Sequence, residues 1–287
     1  MARISSLAEA IRSAVHDGDT VALEGFTHLI PHAAGHEIIR QGRKWLTVIR
    51  MTPDLIYDQL IGMGCVAKMV FSWGGNPGVG SLHRFRDALE NGWPNNLEIE
   101  EHSHAAMANA YEAGAAGLPC AIFRGYIGGD LPKVNSKIKR INCPFTGEEL
   151  AAIPAHRPDV AIIHAQRADK TGNVMIEGVL GVQKEAVLAS RRSVVTVEEI
   201  VDELPGGRSL NAVVLPHWMV GHVVEVPGGA FPSYAQGYYP RNNNFYKQWD
   251  DISRERASFL AWMKTNVLEK GPEAFDRYAR RQHAAAE

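Results

Sequence analysis

Val21-Ala22-Leu23-Glu24-Gly25-Phe26-Thr27-His28-Leu29-Ile30-Pro31 is the stretch whose reading decides the fold. A short apolar run, Val21 to Leu23, meets Glu24 and a glycine, and a polar elbow ending in a proline follows. Ahead of it, Ser5 to Ile11 has the spacing of an amphipathic helix that stops near Gly18, with Ser6 and Glu9 in a capping-box pattern. Behind it, Ala33 to Arg40 is again helical in spacing. A buried strand that runs through a glycine turn into a helix places backbone N–H groups at the strand's carboxyl end. Open α/β sheets bind their ligands there. The elbow is therefore expected to border a small-molecule site.

Working outward, strand-like runs recur at Leu46 to Ile49, Ala67 to Phe71, Leu97 to Ile99, Val160 to His164 and Val194 to Val197. Helical spacing appears at Pro53 to Ile61, Leu82 to Asn91, Ala105 to Ala116 and Lys184 to Ala189. Alternation of this kind predicts βαβ crossovers and a mainly parallel sheet with flanking helices. The run Asp159 to Ala165 is apolar without alternation, as a strand covered on both faces must be. Asp169-Lys170-Thr171-Gly172-Asn173 reads as a hairpin turn with Gly172 at positive φ. Two stretches lack periodicity and are expected as loop excursions, 125–144 and 228–245, the second crossing the surface. Helices are expected at Ile252 to Glu269 and Pro272 to His283.

With 287 residues, 45% hydrophobic and 22% charged, the chain can bury a full core. Lys+Arg 30 against Asp+Glu 32 gives a net charge of −2 and no basic surface suited to nucleic acid. Three cysteines without CxxC spacing argue for a reducing compartment and against a disulfide framework or a cysteine metal site. No signal-peptide pattern and no bilayer-length apolar run stands out, so a cytoplasmic location and no membrane partner are expected.

The glycines at Gly74-Gly75-Asn76-Pro77-Gly78-Val79-Gly80 precede a helix that Ser81 could cap. That geometry suits an anion held by backbone N–H groups, and equally a plain tight turn. It matches neither the dinucleotide fingerprint nor a Walker loop, and no Gly-x-Ser-x-Gly elbow supports a serine hydrolase. His28, His32 and His36, and the pair His102 and His104, are ordinary polar residues in preference to metal ligands. Glu24 reads as a sheet-rim carboxylate paired to a cation, and Glu98, Glu100 and Glu101 as a solvated strand edge. A nucleophile or base in either place would require tuning by burial.

Five segments in order carry a family resemblance. Asp17 to Phe26 resembles the first signature of family I coenzyme A transferases, above all the alpha subunits of glutaconate and 3-oxoacid CoA-transferases. Pro77-Gly78-Val79 leading to Arg84-Phe85-Arg86, Asp159 to Asn173, Thr196 to Val201 and Glu225 to Ser233 are similar to the same subunits. The resemblance implies a single alpha-subunit domain over 1–287 with a NagB/RpiA/CoA-transferase-like fold. It implies a beta-subunit partner, usually as (αβ)2, and coenzyme A as a substrate with no other cofactor. The nucleophilic glutamate is expected on the partner, within a Ser-Glu-Asn-Gly-like motif absent here. This chain would add one cleft wall from Gly25, Phe26, Thr27 and His28 and from Gly75, Asn76, Gly78, Val79, Gly80 and Ser81, with glycine-turn N–H groups facing the oxyanion. The sequence has Glu24-Gly25-Phe26 where the family has Gly-Gly-Phe, and Pro77 where the glutaconate enzyme has serine, which implies a substrate other than glutaconate. Some relatives instead hydrolyse a C–C bond in ring-containing acyl-CoA substrates, and Glu101 would then be the base. A non-catalytic binding subunit is the third reading.

Overall fold

In the computed structural model, residues 2–206 and 211–278 are described. The first half alternates strand and helix: β1 (Arg3–Ile4), α1 (Leu7–Ala14), β2 (Thr20–Glu24), α2 (His32–Arg40), β3 (Leu46–Arg50), α3 (Leu55–Gly62), β4 (Val66–Phe71), α4 (His83–Asn91), β5 (Glu98–Glu101) and α5 (His104–Ala115). A small excursion follows, with β6 (Cys120–Phe123), α6 (Leu131–Val134), β7 (Lys139–Asn142) and β8 (Glu149–Pro154). The chain then returns through β9 (Val160–Asp169), β10 (Val174–Glu177), α7 (Gln183–Ala189), β11 (Arg192–Val201), β12 (Ala212–Leu215) and β13 (His222–Glu225), and closes with α8 (Asn243–Arg254) and α9 (Arg256–Met263).

The main sheet has ten strands, eight of them parallel in the order β1-β13-β11-β9-β2-β3-β4-β5, with β10 and β12 as an antiparallel arm off β9. From β2 the chain builds outward through β3, β4 and β5, and from β9 it builds the other way through β11 and β13. The order reverses between β2 and β9, which pair from Val21↔Val160 to Glu24↔Ile163. A crevice at the carboxyl end of such a switch point is the binding place of this architecture, and the elbow Gly25 to Pro31 lies at that end.

Alternate residues of each central strand enter two different cores. Val21, Leu23, Val48 and Ile162 pack with α1, α2, α3, α8 and α9, while Ala22, Ile49, Ala161 and Ile163 pack with Met107, Tyr111, Ala186 and Val187 of α5 and α7. Both faces are dry, which is why these strands read as unbroken apolar runs. The capping box of α1 is formed, with Ser6 Oγ accepting from Glu9 N–H and Glu9 accepting from Ser6 N–H at 3.1 Å. Gly172 turns the β9–β10 hairpin at φ 94°.

Three expectations change. The excursion at 125–144 is not all loop, because α6 and β7 lie in it and β7 pairs with β8 in a separate three-stranded sheet. Strand β7 faces solvent and carries Lys139 and Arg140, so it has no apolar signal. The expected helix from Ile252 starts earlier, at Asn243, and breaks at the extended Glu255 before α9. Of the expected helix Pro272 to His283, Pro272–Phe275 is a 3-10 turn, and 279–283 lie outside the described residues.

Candidate active site

The elbow after β2 is coiled tightly. Thr27 and Leu29 have φ of 62° and 53°, and a β-branched residue in that region is a strained outlier. A Cβ on Gly25 would stand 2.6 Å from the Leu29 carbonyl oxygen and 2.8 Å from that of His28, so only glycine permits the coil. Two bonds pin it from outside: Leu29 N–H donates to Tyr234 O at 2.9 Å, and Ile30 N–H to Ser233 Oγ at 3.1 Å. The 228–245 stretch, expected to cross the surface, is thus packed inward, with Ala230, Ser233 and Ala235 fully buried. Its small side chains let its backbone approach the elbow and satisfy it.

Beneath the elbow lies a buried charge cluster. Arg50, ending β3 at 1% exposure, donates from Nη1 to Asp54 at 3.1 Å and from Nη2 to Gly25 O at 3.0 Å. Its Nε has no partner. Glu24 receives a hydrogen bond from Tyr111 at 2.8 Å, and burial pushes its carboxyl up to about 7 against the pull of Arg50. Burial also raises Asp54, opposed again by Arg50. Tyr57 holds the floor together, its hydroxyl 3.0 Å from the carbonyls of both Leu23 and Ile49.

A cavity of about 160 Å³ opens above this cluster. Phe26, Thr27 and Pro77 line it, together with Arg50, Thr52, Asp54, Trp73, His104, Arg241 and Tyr246. Arg241 lies over the Tyr246 ring with its guanidinium carbon 4.2 Å from the ring centroid, and its buried Nε and Nη2 lack partners. Arg50, Trp73, Arg241 and Tyr246 carry no sequence signal for binding. The one clue is a charged residue, Arg50, closing an apolar strand.

The glycine loop after β4 has a different job from the expected anion cradle. Gly75, Gly78 and Gly80 N–H donate to Pro53 O, Asn76 Oδ1 and Asn76 O. Asn76 is fully buried and donates to Tyr246 O at 2.7 Å, holding α8 to the loop. A Cβ on Gly75 would stand 2.5 Å from the Trp73 ring, and one on Gly78 2.9 Å from Tyr246 Cβ, so these glycines make room for two walls of the cavity. Ser81 does not cap α4. Asp58 of α3 takes the helix's leading N–H groups, those of Arg84 and Phe85, at 2.8 and 2.9 Å. That helix end already holds a carboxylate, which leaves no room for a ligand anion. The N–H groups of Gly75, Gly78 and Gly80 expected at the oxyanion are therefore used within the chain. Val79 is exposed and its N–H goes to Asn76 O.

A coenzyme A transferase family model matches residues 4–226. The chain belongs to the coenzyme A transferase family. It is 62% identical over 278 residues to the A-type subunit of 3-oxoadipate CoA-transferase from Pseudomonas knackmussii, covering 97% of each chain. It is 34% identical to the A-type subunit of glutaconate CoA-transferase from Acidaminococcus fermentans over 94% of this chain and 89% of that one. The crystal structure of that glutaconate enzyme superposes with a TM-score of 0.85 at 32% identity, covering 96% of this chain and 92% of the other. The expected fold class holds, and the chain is one subunit of a CoA-transferase enzyme.

In this transferase subunit the remaining candidates separate. His28 is fully buried against Tyr234, ring centroids 4.8 Å apart, so it supports the elbow from below and does not line the cavity. Burial holds its imidazole below the usual histidine range. His36 bonds Gln59 at 2.8 Å and is pushed down to about 3 by burial. Strand β5 ends at Glu101, so His104 starts α5 and reaches the cavity. Glu101 is exposed on a separate groove of about 330 Å³ with Lys68, Glu98 and Glu100. Among the described residues no group of His, Cys, Asp and Glu is placed to hold a metal ion, and no helix is long and apolar enough to cross a membrane.

Proposed function

We propose that this single-domain chain forms a transferase with a beta subunit, as (αβ)2 in the cytoplasm, and moves CoA between an acyl-CoA and a free 3-oxo dicarboxylic acid of the 3-oxoadipate kind. The observation that carries the reading is the strained elbow at the β2/β9 switch point, coiled over a cavity walled by buried guanidinium groups. The 62% identity to a 3-oxoadipate CoA-transferase subunit supports the acid.

In the proposed cycle a partner glutamate attacks the thioester carbonyl, forming an acyl-glutamyl anhydride and releasing CoA as its thiolate. The thiolate attacks the glutamyl carbonyl, giving a glutamyl-CoA thioester and the free first acid. The second acid then repeats both steps in reverse. Each step exchanges one activated carboxyl for another, so the thioester's free energy is kept as long as water is excluded. Phe26, Thr27 and Pro77, which line the cavity, are the contacts this chain offers the acyl group, and Gly25 serves by allowing the coil beneath them. Holding the acid against the partner's glutamate turns an encounter into a unimolecular step. Coenzyme A enters as a substrate, and the reaction draws on no other cofactor. A hydrolase with Glu101 as base is not favoured, since Glu101 stands on another groove, and the transferase relatives speak against a purely binding role.

Co-expression with the beta subunit, followed by acyl-CoA and borohydride, tests this. The reductant should inactivate the complex and modify one glutamate of the partner. Modification of a glutamate in this chain, or CoA transfer by this chain alone, would overturn the division of labour.

A further inference from the structure

We propose that Arg241 is the specificity residue of this site, taking the remote carboxylate of a dicarboxylic acyl chain on the Nε–Nη2 edge of its guanidinium. The inference rests on the transferase reading for its substrate and on the following geometry for its residue. Nε–H and Nη2–H are the two parallel donors along one side of an arginine, the edge that receives both oxygens of a carboxylate. In Arg241 both are buried and neither has a partner. The rest of the side chain is already held, with the guanidinium carbon 4.2 Å from the centroid of the Tyr246 ring. Arg50 leaves a third buried donor, Nε, without a partner on the same cavity.

Buried donors without acceptors are rare, and charged ones rarer, because each loses its hydration for nothing. Arg50 and Arg241 both line one cavity here, and the single carboxylate among its lining residues, Asp54, already accepts from Arg50 Nη1. The Nε–Nη2 edge of Arg241 meets no carboxylate of the chain. Phe26, Ile30, Trp73 and Pro77 give the wall apolar stretches, which suit the methylenes between two carboxyl groups. Arg241 also lines a neighbouring open groove of about 480 Å³ with Asn242 and Tyr278, so it stands in the wall between solvent and the cavity. A monocarboxylic acid entering the cavity would leave these donors unsatisfied, which is how a site built around a polar group rejects the analogue that lacks it.

The test uses the complex of this chain with its beta subunit, with acetyl-CoA as donor and a matched pair of acceptors, adipate and hexanoate. Wild type should favour adipate. Arg241→Gln should lower the adipate-to-hexanoate ratio of kcat/KM by about 100-fold, chiefly through KM. Arg241→Lys keeps the charge but not the paired donors, and should lower it by about 10-fold. An unchanged ratio in both variants, or equal losses for the two acids, would overturn the inference. If Arg241→Gln fails to fold, Arg241→Lys decides on the same criteria. Adipate should also raise the wild-type melting temperature more than hexanoate does, a difference that Arg241→Lys should shrink. If the wild-type complex transferred CoA to no acid yet kept that difference, the transferase reading would fall and the carboxylate site would stand. Transfer with unaltered selectivity in the variants would do the reverse.

Discussion

Two buried polar clusters sit at the carboxyl end of the sheet, one on each side of the switch point, and they are built to opposite rules. Within β9 and β11, His164 bonds Thr196 at 2.8 Å and Glu198 at 2.7 Å. Glu198 also accepts from Gly228 N–H at 2.7 Å and from Tyr239 at 2.5 Å. Every side-chain nitrogen and oxygen of His164 and Glu198 has a partner, and neither residue lines the cavity under the elbow. Beyond β2 and β3, Arg50 and Arg241 keep unpaired donors beside that cavity. A closed network rigidifies, whereas an incomplete one persists in a folded protein when something from outside completes it. The difference separates the cluster that holds the sheet from the cluster that meets substrate.

The comparison breaks most readily at Glu198. Glu198→Ala would leave His164 Nε2, the Tyr239 hydroxyl proton and Gly228 N–H without their partner together, and should destabilise the chain by about 4 kcal/mol in urea denaturation. A loss below about 1 kcal/mol would show the closed network to be less structural than its geometry says.

Glu24 sharpens the contrast through pH. Its carboxyl is raised from the ordinary 4.5 to about 7, so the folded state prefers it protonated. The stability tied to that proton is whole below pH 4.5 and is lost as pH rises through about 7. Glu24→Gln cannot lose it. The stability gap between variant and wild type should therefore widen in the variant's favour by about 3 kcal/mol between about pH 4.5 and 8, measured by denaturation at each pH. A gap independent of pH would show that folding leaves the Glu24 carboxyl unshifted.

The smallest effect is expected at the elbow. Thr27→Gly relieves a φ of 62° and should raise stability by about 1 kcal/mol, net of glycine's greater unfolded-state freedom. It should also lower kcat/KM about tenfold by removing a cavity wall and loosening the coil. Equal activity in the variant would mean that the strain has no functional role.

Much of the architecture is legible in the sequence because local chemistry writes it. Val160 to Ala165 must be a two-sided strand, Ser6 and Glu9 must cap a helix, and Gly172 must turn a hairpin. The edges are not legible. Lys139–Asn142 pairs with β8 through its backbone and an exposed Arg140–Glu149 ion pair, with most of its side chains in water, so little apolar marks it. The asparagine run reads as loop because asparagine favours turns, yet Asn242 is the cap of α8, accepting from Phe245 N–H at 2.9 Å. At the site, the elbow is readable from Gly25 and Pro31, and Phe26 and Thr27 do line the cavity. Arg241 is not, because its importance comes from lying over Tyr246 and beside Asp54, relations made by tertiary folding alone. The glycine loop misleads for a related reason: its glycines accommodate Trp73 and Tyr246, and spacing cannot distinguish room for a ring from room for a phosphate.

Helix α5 has a further consequence. One flank, Met107 and Tyr111, belongs to the main core, and the other, Ala106, Ala110 and Ala113, meets Ala121, Ala151 and Ile153 of the small sheet. At Gly114 an added methyl would fall 1.9 Å from the His156 carbonyl oxygen, so helix and neighbouring chain touch backbone to backbone. The small sheet is in effect bolted to the body through a spacer of single methyl groups. Homologues should vary freely in the length and charge of its outer rim, while any enlargement along that alanine seam would swing the entire appendage outward and part Leu131 and Asn135 from the Glu101 groove that they help to line.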